Sequence, residues 1–273
     1  MSKNRGRKEL KASRLYWIGT WFFFKREVHR FLKVWAQTLF SPVINAALYM
    51  LVFGLSFSRL IQGFGEVSYL EFLIPGLIAM SALNNALQNS ASSIMSSKFQ
   101  NDLQDLKVNP LSPFQIVIGF VSGAWVRAII CGFLVYLVGC VFVYIQSGHW
   151  FSIQSPFFFL LFLSLGACFF SCLGIWAAFR ARSFDEIGAV TQFIVMPLIY
   201  LGGVFYSLSS LPEFWQRIAT VNPLVYFING IRWSVMKESD FSLELCLTVS
   251  LAFVALGIVL AYRGILRGYY FRF

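Results

Sequence analysis

The distribution of charged residues along this chain of 273 residues constrains its fold more than any single motif. Stretches of 18 to 52 residues without Asp, Glu, Lys or Arg recur along the chain. A helix that crosses the hydrocarbon core of a bilayer needs about 20 consecutive, mostly apolar residues. Moreover, 58% of the chain is hydrophobic and only 12% is charged. We therefore expect an all-α integral membrane protein, folded as a single transmembrane domain over residues 1–273.

The longest uncharged stretch begins after Arg127 and has 52 residues, which is too long for one span. It contains a polar break at residues 146–149, with Pro156 beyond it, and therefore divides into two spans. The third span is longer than a bilayer requires and contains Arg127. We expect this arginine near the cytoplasmic interface, snorkelling or paired with Asp102 or Asp105. The six predicted spans are 34–58, 72–95, 114–145, 156–179, 187–207 and 244–262.

The Lys and Arg residues predict the orientation of these spans. Seventeen of the 22 lie before span 1, after span 6 or in the loops that follow spans 2 and 4, whereas four lie in the other loops. Because cytoplasmic loops carry the excess of positive charge, residues 1–33 and 263–273 are both expected in the cytoplasm. The formal net charge of +10 then reflects topology and attraction to anionic lipids. Without a soluble basic domain, the chain is not expected to bind nucleic acid.

The N-terminal segment is predicted to be a basic tail over residues 1–14, followed by an amphipathic helix. Large apolar side chains recur there at spacings of three and four, with basic side chains opposite. This pattern is typical of a helix that lies in the membrane interface or extends span 1 inward. The apolar stripe comprises Trp17, Trp21, Phe24, Val28, Phe31 and Trp35, and the basic face comprises Arg26, His29, Arg30 and Lys33.

A second amphipathic segment lies between spans 2 and 3. Phe99, Leu103 and Leu106 fall on one helical face, and Asp102 and Asp105 fall on the other. Two prolines follow, so we predict a short cytoplasmic helix that ends before them. A helix this short is not stable alone. It is expected to pack either in a groove of a partner protein or against the membrane ends of its own chain.

The segment 208–242, on the side opposite the termini, is too apolar for an ordinary aqueous loop. We expect two short re-entrant helices that dip into the outer leaflet and are covered by protein at their ends. Ser210 is a candidate N-cap for the first of them. A glycine pair gives span 5 a flexible exit, and an Asn-Pro pair divides the two helices. The candidate outer gate comprises Gly202, Gly203, Phe214, Trp215, Asn222 and Pro223.

The sequence offers little catalytic chemistry. The predicted spans contain no Asp or Glu in their interiors, although ion-coupled carriers commonly need such groups. The chain also has no G-x-x-x-x-G-K-[ST] phosphate-binding loop. We expect no catalytic, nucleotide or metal site here, so uphill transport would need energy from another chain. Span 2 is nevertheless polar, with i,i+4 pairs Asn84/Gln88 and Asn85/Asn89. These amides are either interhelical hydrogen-bonding groups or the lining of a transport path or dimer seam.

Several local sequences resemble one family of membrane proteins. They are YLEFLIPGL at 69–77, ASSIMSSKFQ at 91–100, YLGGVFYS at 200–207, LPEFW at 211–215 and NPLVY at 222–226. With six spans, a cytoplasmic amphipathic helix and two outer re-entrant helices, the chain resembles the ABC-2 type exporter permeases. It is similar in particular to the YadH-like inner-membrane permeases of Gram-negative bacteria.

The resemblance implies a homodimer in a bacterial inner membrane, bound to two copies of a cytoplasmic ATPase subunit that hold ATP and Mg²⁺. The dimer would export its substrate by alternating access, and the segment containing Phe99 would be the coupling helix. The substrate is not implied. Two other classes stay open: a passive channel or secondary carrier, and an integral-membrane transferase. A transferase would need an acidic or His cluster, for which Glu238, Asp240 and Glu244 are the outer candidates.

Overall fold

The computed structural model describes residues 2–55, 68–100 and 111–270, and their side chains over 17–54, 68–100 and 111–267. Within these ranges the chain is helical and has no strand. The helices are α1 (Ser2–Leu32), α2 (Ser41–Tyr49), α3 (Tyr69–Phe99), α4 (Pro113–Ser147), α5 (Pro156–Arg180), α6 (Phe184–Val190), α7 (Met196–Tyr200), α8 (Glu213–Val221), α9 (Pro223–Met236) and α10 (Leu243–Tyr270). Wider π-helical turns at Ala36–Phe40 and Met50–Leu55 flank α2, and another at Thr191–Val195 joins α6 to α7.

Helix α3 is the centre of the bundle and packs against α4, α5 and α9. It is buried on almost every side, unlike the more exposed α2 and α10. Glycines on α5 permit this packing: a Cβ on Gly166 would lie 2.5 Å from Leu83, and one on Gly174 would lie 2.5 Å from the carbonyl oxygen of Leu87. Small residues of this kind let two helix backbones approach closely within a membrane.

Five helices in the described parts of the chain are long and apolar enough to cross a bilayer. They agree with predicted spans 1–4 and 6, and the polar break predicted inside the longest run is confirmed, because α4 ends at Ser147 and α5 begins at Pro156. The fifth predicted span, 187–207, is too long. Its helix covers Phe184–Tyr200 and then gives way to turns, since Gly203 adopts a left-handed backbone with φ of +78°.

The structure corrects the N-terminal predictions in two ways. First, α1 begins at Ser2, so the predicted basic tail is helical; its Lys, Arg, Glu, Leu and Ala residues favour helix. Second, the predicted apolar stripe, expected to face the membrane interface, is exposed only in part. Phe31 is buried in the protein, whereas Trp17 and Trp21 are more than half exposed.

The buried face of α1 is set by its contact with α4. A Cβ on Gly119 would lie 1.7 Å from the ring of Phe23, and one on Gly123 would lie 2.5 Å from the Cβ of Glu27. These two glycines therefore leave the room that Phe23 and Glu27 occupy. The face of α1 that meets the protein is consequently rotated from the predicted stripe and includes a carboxylate.

Two of the π-helical turns end two residues before a proline. Pro42 follows Ala36–Phe40, and Pro197 follows Thr191–Val195. A proline lacks the N–H that an α-helix needs and its ring crowds the preceding turn. A wider turn relieves both conflicts, and such turns are frequent at functional sites.

The two short helices predicted after span 5 are present as α8 and α9. Asn222 caps α9, because its side-chain oxygen accepts a hydrogen bond from the backbone N–H of Leu224 at 3.0 Å. The predicted cap of the first helix was wrong: Pro212 occupies the N-cap position of α8, and Ser210 ends the preceding 3₁₀ turn. Helix α9 is largely buried, and α8 is largely exposed.

Candidate functional site

A polar cleft runs between α1, α2 and α3 and is the candidate site. It is lined by Arg26, His29, Arg30, Lys33, Gln37, Thr38, Ser41, Asn45, Ser81, Asn84, Asn85, Gln88, Ser92, Ser93, Ser96 and Arg127, with apolar contributions from Phe31, Val34, Ala46, Leu77, Met80 and Met196. Two π-helical turns border it, at Ala36–Phe40 and Thr191–Val195. We call it the α1–α3 cleft.

The four amides predicted as a polar strip divide into two pairs. Asn84 and Gln88 are partly exposed and line the cleft, whereas Asn85 and Asn89 are buried. Gln88 donates through Nε2 to the hydroxyl of Thr191 at 3.2 Å, which connects α3 to the π-helical turn after α6. The predicted strip therefore faces a cleft on one side and forms interhelical hydrogen bonds on the other.

Asn89 binds Arg30 of α1. One Nη of Arg30 donates to the Asn89 side-chain oxygen at 3.0 Å and to its backbone oxygen at 2.8 Å, and the other donates to Ser92 at 3.3 Å. Glu27 is fully buried beneath them, 3.4 Å from Arg30 and 3.2 Å from Arg26, and it accepts a hydrogen bond from Ser93 at 2.6 Å. This network fixes α1 against the second half of α3.

The charge state of this network follows from its surroundings. Burial lowers the pKa of Arg30, and the adjacent carboxylate of Glu27 opposes that change. An arginine starts from so high a pKa that its guanidinium stays protonated at neutral pH. Arg30 thus remains a cation at the edge of the cleft, held by one carboxylate and three neutral oxygens.

Asn85 binds the second arginine of the cleft. Its side-chain oxygen accepts hydrogen bonds from Nε and Nη2 of Arg127, at 3.1 Å and 2.8 Å. Among the described residues, no carboxylate lies within ion-pair distance of Arg127. Asp102 and Asp105, which we expected as its partners, lie outside the described residues. Within the described parts of the chain, Arg127 therefore contributes a positive charge to the cleft that neutral groups, chiefly the amide of Asn85, hold in place.

The predicted coupling segment is described only at its beginning, because Asp102, Leu103, Asp105 and Leu106 lie outside the described residues. Phe99 is 60% exposed and stacks on Phe184, the first residue of α6, with ring centroids 5.3 Å apart. The adjacent Lys98 donates to the carbonyl oxygens of Ala178 and Ala181 at 2.7 and 2.9 Å, at the end of α5. The segment thus leaves α3 from a position anchored on α5 and α6.

The candidate outer gate lies at the opposite end of the bundle, where α9 meets the start of α3. Arg232 of α9 is only 2% exposed and donates to the carbonyl oxygen of Gly203 at 2.7 Å. Its guanidinium lies over the ring of Phe72 at 3.9 Å, and Asp240 is 3.8 Å away. Asp240 in turn accepts a hydrogen bond from the hydroxyl of Ser207. These contacts connect the turn after α7 to α9.

The remaining residues of the predicted gate occupy different environments. Asn222 donates to the carbonyl oxygen of Leu198 at 2.6 Å, which fixes the start of α9, beginning at Pro223, against α7. Gly202 lies in the turn after α7. Phe214 and Trp215 of α8 are 67% and 44% exposed and contact each other edge to face. The structure therefore places Gly202 and Asn222 beside the same carbonyl oxygen, that of Leu198, but leaves the aromatic pair on the surface.

Sequence reasoning missed Glu27 and Arg232 as site residues. Glu27 is the only carboxylate between Glu9 and Glu66, and it is spaced four residues from each of Phe23 and Phe31. That spacing places it on the buried face and could have revealed it. Arg232 follows a run of apolar residues in a segment already predicted to be covered by protein, and a buried arginine needs partners.

No group of three or more His, Cys, Asp or Glu that could hold a metal ion occurs in the described parts of the chain. The acidic outer cluster considered for a transferase is not a free set of carboxylates. Asp240 also accepts hydrogen bonds from a serine and a backbone amide and donates its own N–H to Asn229 at 3.0 Å. These contacts give Asp240 a structural role.

An all-helical bundle with several membrane-length helices and a polar cleft in its interior defines the class of polytopic membrane transport proteins. Residues 19–236 match the family model described as "ABC-2 type transporter". The chain therefore belongs to the ABC-2 type transporter family. It is a transport permease, a membrane subunit without catalytic activity of its own.

Three curated relatives are similar to the chain along most of its length. "Inner membrane transport permease YadH" of Escherichia coli (strain K12) is 38% identical over 254 residues, covering 93% of this chain and 97% of the relative. "Putative transport permease ycf38" of Cyanophora paradoxa is 28% identical, covering 88% and 82%. "Nodulation protein J" of Rhizobium leguminosarum bv. viciae is 23% identical, covering 84% and 85%. These matches also support a multi-pass membrane location.

Proposed function

We propose that this chain is the membrane-spanning subunit of an ATP-binding-cassette exporter in a bacterial inner membrane. Two copies assemble with two cytoplasmic ATPase subunits, which bind ATP and Mg²⁺ and drive alternating access. Both termini lie in the cytoplasm, so the α1 end of the bundle is cytoplasmic and the α9 end is external. The family and the positive charge of the termini support this arrangement.

The α1–α3 cleft is the observation that carries the proposal. Helix α3 is otherwise buried on nearly all sides by apolar packing, yet it keeps a row of polar side chains toward the cleft. Asn84, Gln88 and Ser92 follow one another at spacings of four and are only partly covered. In a membrane protein such a row lines either a solute path or an interface with a second copy, and an alternating-access dimer uses both.

The anchored start of the coupling segment supports docking of the ATPase at the α1 end. Lys98 and the stacked pair Phe99 and Phe184 fix the segment to α5 and α6, so movement of a docked partner would reach both helices and α3. In the sequence, Leu103 and Leu106 continue the apolar spacing that starts at Phe99. A helix-in-groove contact uses i, i+4 and i+7 anchors of this kind.

The central experiment is co-purification of the full-length chain from native membranes, followed by identification of any ATPase bound to it. The purified complex should hydrolyse ATP, and the chain alone should neither bind nor hydrolyse it. Nucleotide binding by the pure single chain would contradict the proposal. Transport by the reconstituted chain without any ATPase would instead identify a passive channel or secondary carrier.

Coupling can be tested in the reconstituted complex with two double variants. Leu103→Asp with Leu106→Asp should abolish transport while ATP hydrolysis continues, if the apolar face enters a groove on the ATPase. Asp102→Lys with Asp105→Lys should be the more harmful pair if the acidic face meets basic groups on the ATPase instead. Parental transport rates in both variants would show that this segment does not couple hydrolysis to transport.

The proposed orientation is testable by cysteine accessibility in a cysteine-free background. Single cysteines at Gly148 and Ser239 should react with an impermeant reagent from outside, and cysteines at Gln104 and Ser183 should not. External labelling of either of the last two positions would overturn the orientation.

A further inference from the structure

The α1–α3 cleft has an excess of positive charge at its wide end. Arg26, Arg30, Lys33 and Arg127 line it, and Glu27 is the carboxylate that contacts this group among the described residues. Among the described residues, four cations against one carboxylate leave a net charge of about +3. A cleft whose charges are not balanced internally is suited to an anion.

The remaining lining of the wide end consists of neutral hydrogen-bonding groups. Their hydroxyls and amides surround the basic side chains on both helices, from Gln37, Thr38, Ser41, Gln88, Ser92, Ser93, Ser96, Ser97 and Gln100. An oxyanion with several acceptor oxygens can bind guanidinium and hydroxyl donors together, and charge-assisted bonds to guanidinium groups are the strong ones. This chemistry matches a phosphate group better than a singly charged carboxylate.

The position of Arg127 points to an anion that moves into the membrane region. Arg127 lies on α4, within a candidate membrane span, where an arginine is costly to place and commonly marks a functional site. Among the described residues only neutral groups hold it, chiefly Asn85. It also lines both the wide basic end of the cleft and the narrower inner end. A phosphate bound first near Lys33 therefore meets a second cation further in.

The inner end of the cleft adds an apolar wall. Ala46, Leu77, Met80 and Met196 line it beside the polar groups, and the basic end adjoins α1, whose Trp17 and Trp21 are exposed. Exposed tryptophans of this kind anchor helices at the level of lipid headgroups. The wide end has a volume of about 740 Å³, within the range of small-molecule sites. It accommodates one headgroup rather than a polymer.

We propose that the α1–α3 cleft binds the phosphate-bearing headgroup of an amphiphilic substrate. Lys33 and Arg30 bind the phosphate at the wide end of the cleft, and Arg127 binds it at the inner end. This inference rests on the proposed export function and names its substrate class. The apolar part of the substrate follows the apolar wall of the inner end. Because the headgroup carries the charge, affinity depends on the cationic side chains and falls as salt concentration rises.

The test measures equilibrium binding to the full-length chain, purified alone in a neutral detergent without ATPase or nucleotide. The probes are dihexanoyl phosphatidic acid, dihexanoyl phosphatidylcholine and inorganic phosphate. Phosphatidic acid should bind most tightly and weaken with added salt. If inorganic phosphate binds as tightly as phosphatidic acid, the ligand is a free anion and the amphiphile assignment is overturned. Equal binding of phosphatidylcholine overturns the role assigned to charge.

Substitutions of cleft residues test whether phosphatidic acid binds in the cleft. Arg127→Gln should weaken phosphatidic acid binding about tenfold or more, the loss expected for a charge-assisted bond, and Arg127→Lys should recover part of it. Lys33→Glu tests the same cleft at an exposed position, where misfolding is not a concern. Lys25→Gln is the matched control, since Lys25 lies on α1 and is exposed but does not line the cleft.

Parental affinity in both Lys33→Glu and a folded Arg127 variant would overturn the proposal. Folding is checked by a monodisperse elution profile and an unchanged thermal midpoint. Loss of phosphatidic acid binding in Lys25→Gln would likewise show that binding follows total charge rather than the cleft. Because no ATPase is present, failure here leaves the export function standing, and failure of ATPase co-purification leaves this binding result standing.

Discussion

Arg232 and Arg127 are both arginines of apolar helices, at opposite ends of the bundle, but their surroundings differ. Arg232 is sealed: a backbone carbonyl accepts its hydrogen bond, Asp240 supplies the counter-charge and the ring of Phe72 covers its face. Arg127 donates hydrogen bonds to the amide oxygen of Asn85 and otherwise faces the open cleft. The first arrangement gives the guanidinium a carboxylate partner within the protein, whereas the second gives it only neutral partners among the described residues.

This difference indicates separate roles for the two ends. A sealed guanidinium joins segments that are distant in sequence, here the turn at Gly203 and helix α9, and its main contribution is to stability and shape. A guanidinium that faces a cleft without a carboxylate partner contributes little to stability and is placed to meet a ligand. The comparison predicts that substitutions at the α9 end should change unfolding, whereas those at the cleft should change binding.

Arg232→Ala is expected to have the largest effect on stability. It leaves Asp240 without its counter-charge and empties the space over Phe72, so the free energy of unfolding should fall by about 3–5 kcal/mol. The measurement is the thermal midpoint of the purified chain in detergent. Arg217→Ala, at an exposed arginine of α8, is the control. Equal midpoints for the two variants would show that the sealed arginine is not a structural link.

Glu27→Gln tests the opposite end and should have two effects of different sign. It removes the ion pairs to Arg26 and Arg30 and weakens the bond from Ser93, so stability should fall by about 1.5–3 kcal/mol. The cleft also loses its carboxylate, so phosphatidic acid should bind more tightly than to the parent. Arg232→Ala should leave this affinity unchanged. A Glu27→Gln variant with weaker binding would contradict the assigned charge balance.

Gly119→Leu should displace α1 from α4 and thereby widen the cleft. A Cβ at this position would lie 1.7 Å from the ring of Phe23, and overpacking of this kind typically costs about 1–3 kcal/mol. Gly188→Ala is the matched control, because a Cβ there meets nothing within 4 Å. Thermal midpoints should separate the two variants, with only Gly119→Leu also changing phosphatidic acid binding. Similar midpoints would show that α1 is not held by this contact.

The sequence predicted the helices well because their signals are local. Charge-free length predicted six spans, and five of them correspond to membrane-length helices in the described parts of the chain. Pro156 and the Asn222–Pro223 pair predicted helix boundaries that the structure reproduces. The end of span 5 was misjudged because hydropathy continues past Tyr200, whereas the backbone turns at Gly203. Hydropathy reports which side chains tolerate lipid, and it does not report backbone conformation.

The candidate sites were less predictable because their partners are far apart in sequence. Polarity alone selected Asn85 and Asn89, but only the fold shows that they hold Arg127 and Arg30. The protein-facing side of α1 was not predicted, because a stripe of aromatic residues does not distinguish lipid from protein as its neighbour. The glycines of α4 decide that question, and they lie about 90 residues away from α1 in sequence.

The smallest effect on stability is expected for Phe214→Ala with Trp215→Ala. Both side chains lie on the exposed surface of α8 and their rings contact each other. Each substitution should therefore change the unfolding free energy by about 0.5 kcal/mol or less. If this surface closes the external end of the path, the double variant should still bind the ATPase but leak or transport at an altered rate in proteoliposomes. Gln216→Ala, in the same helix, is the matched control. Normal transport together with a normal leak would show that α8 has a structural role and does not gate the path. Any gating at the external end would then depend on the contacts of Arg232.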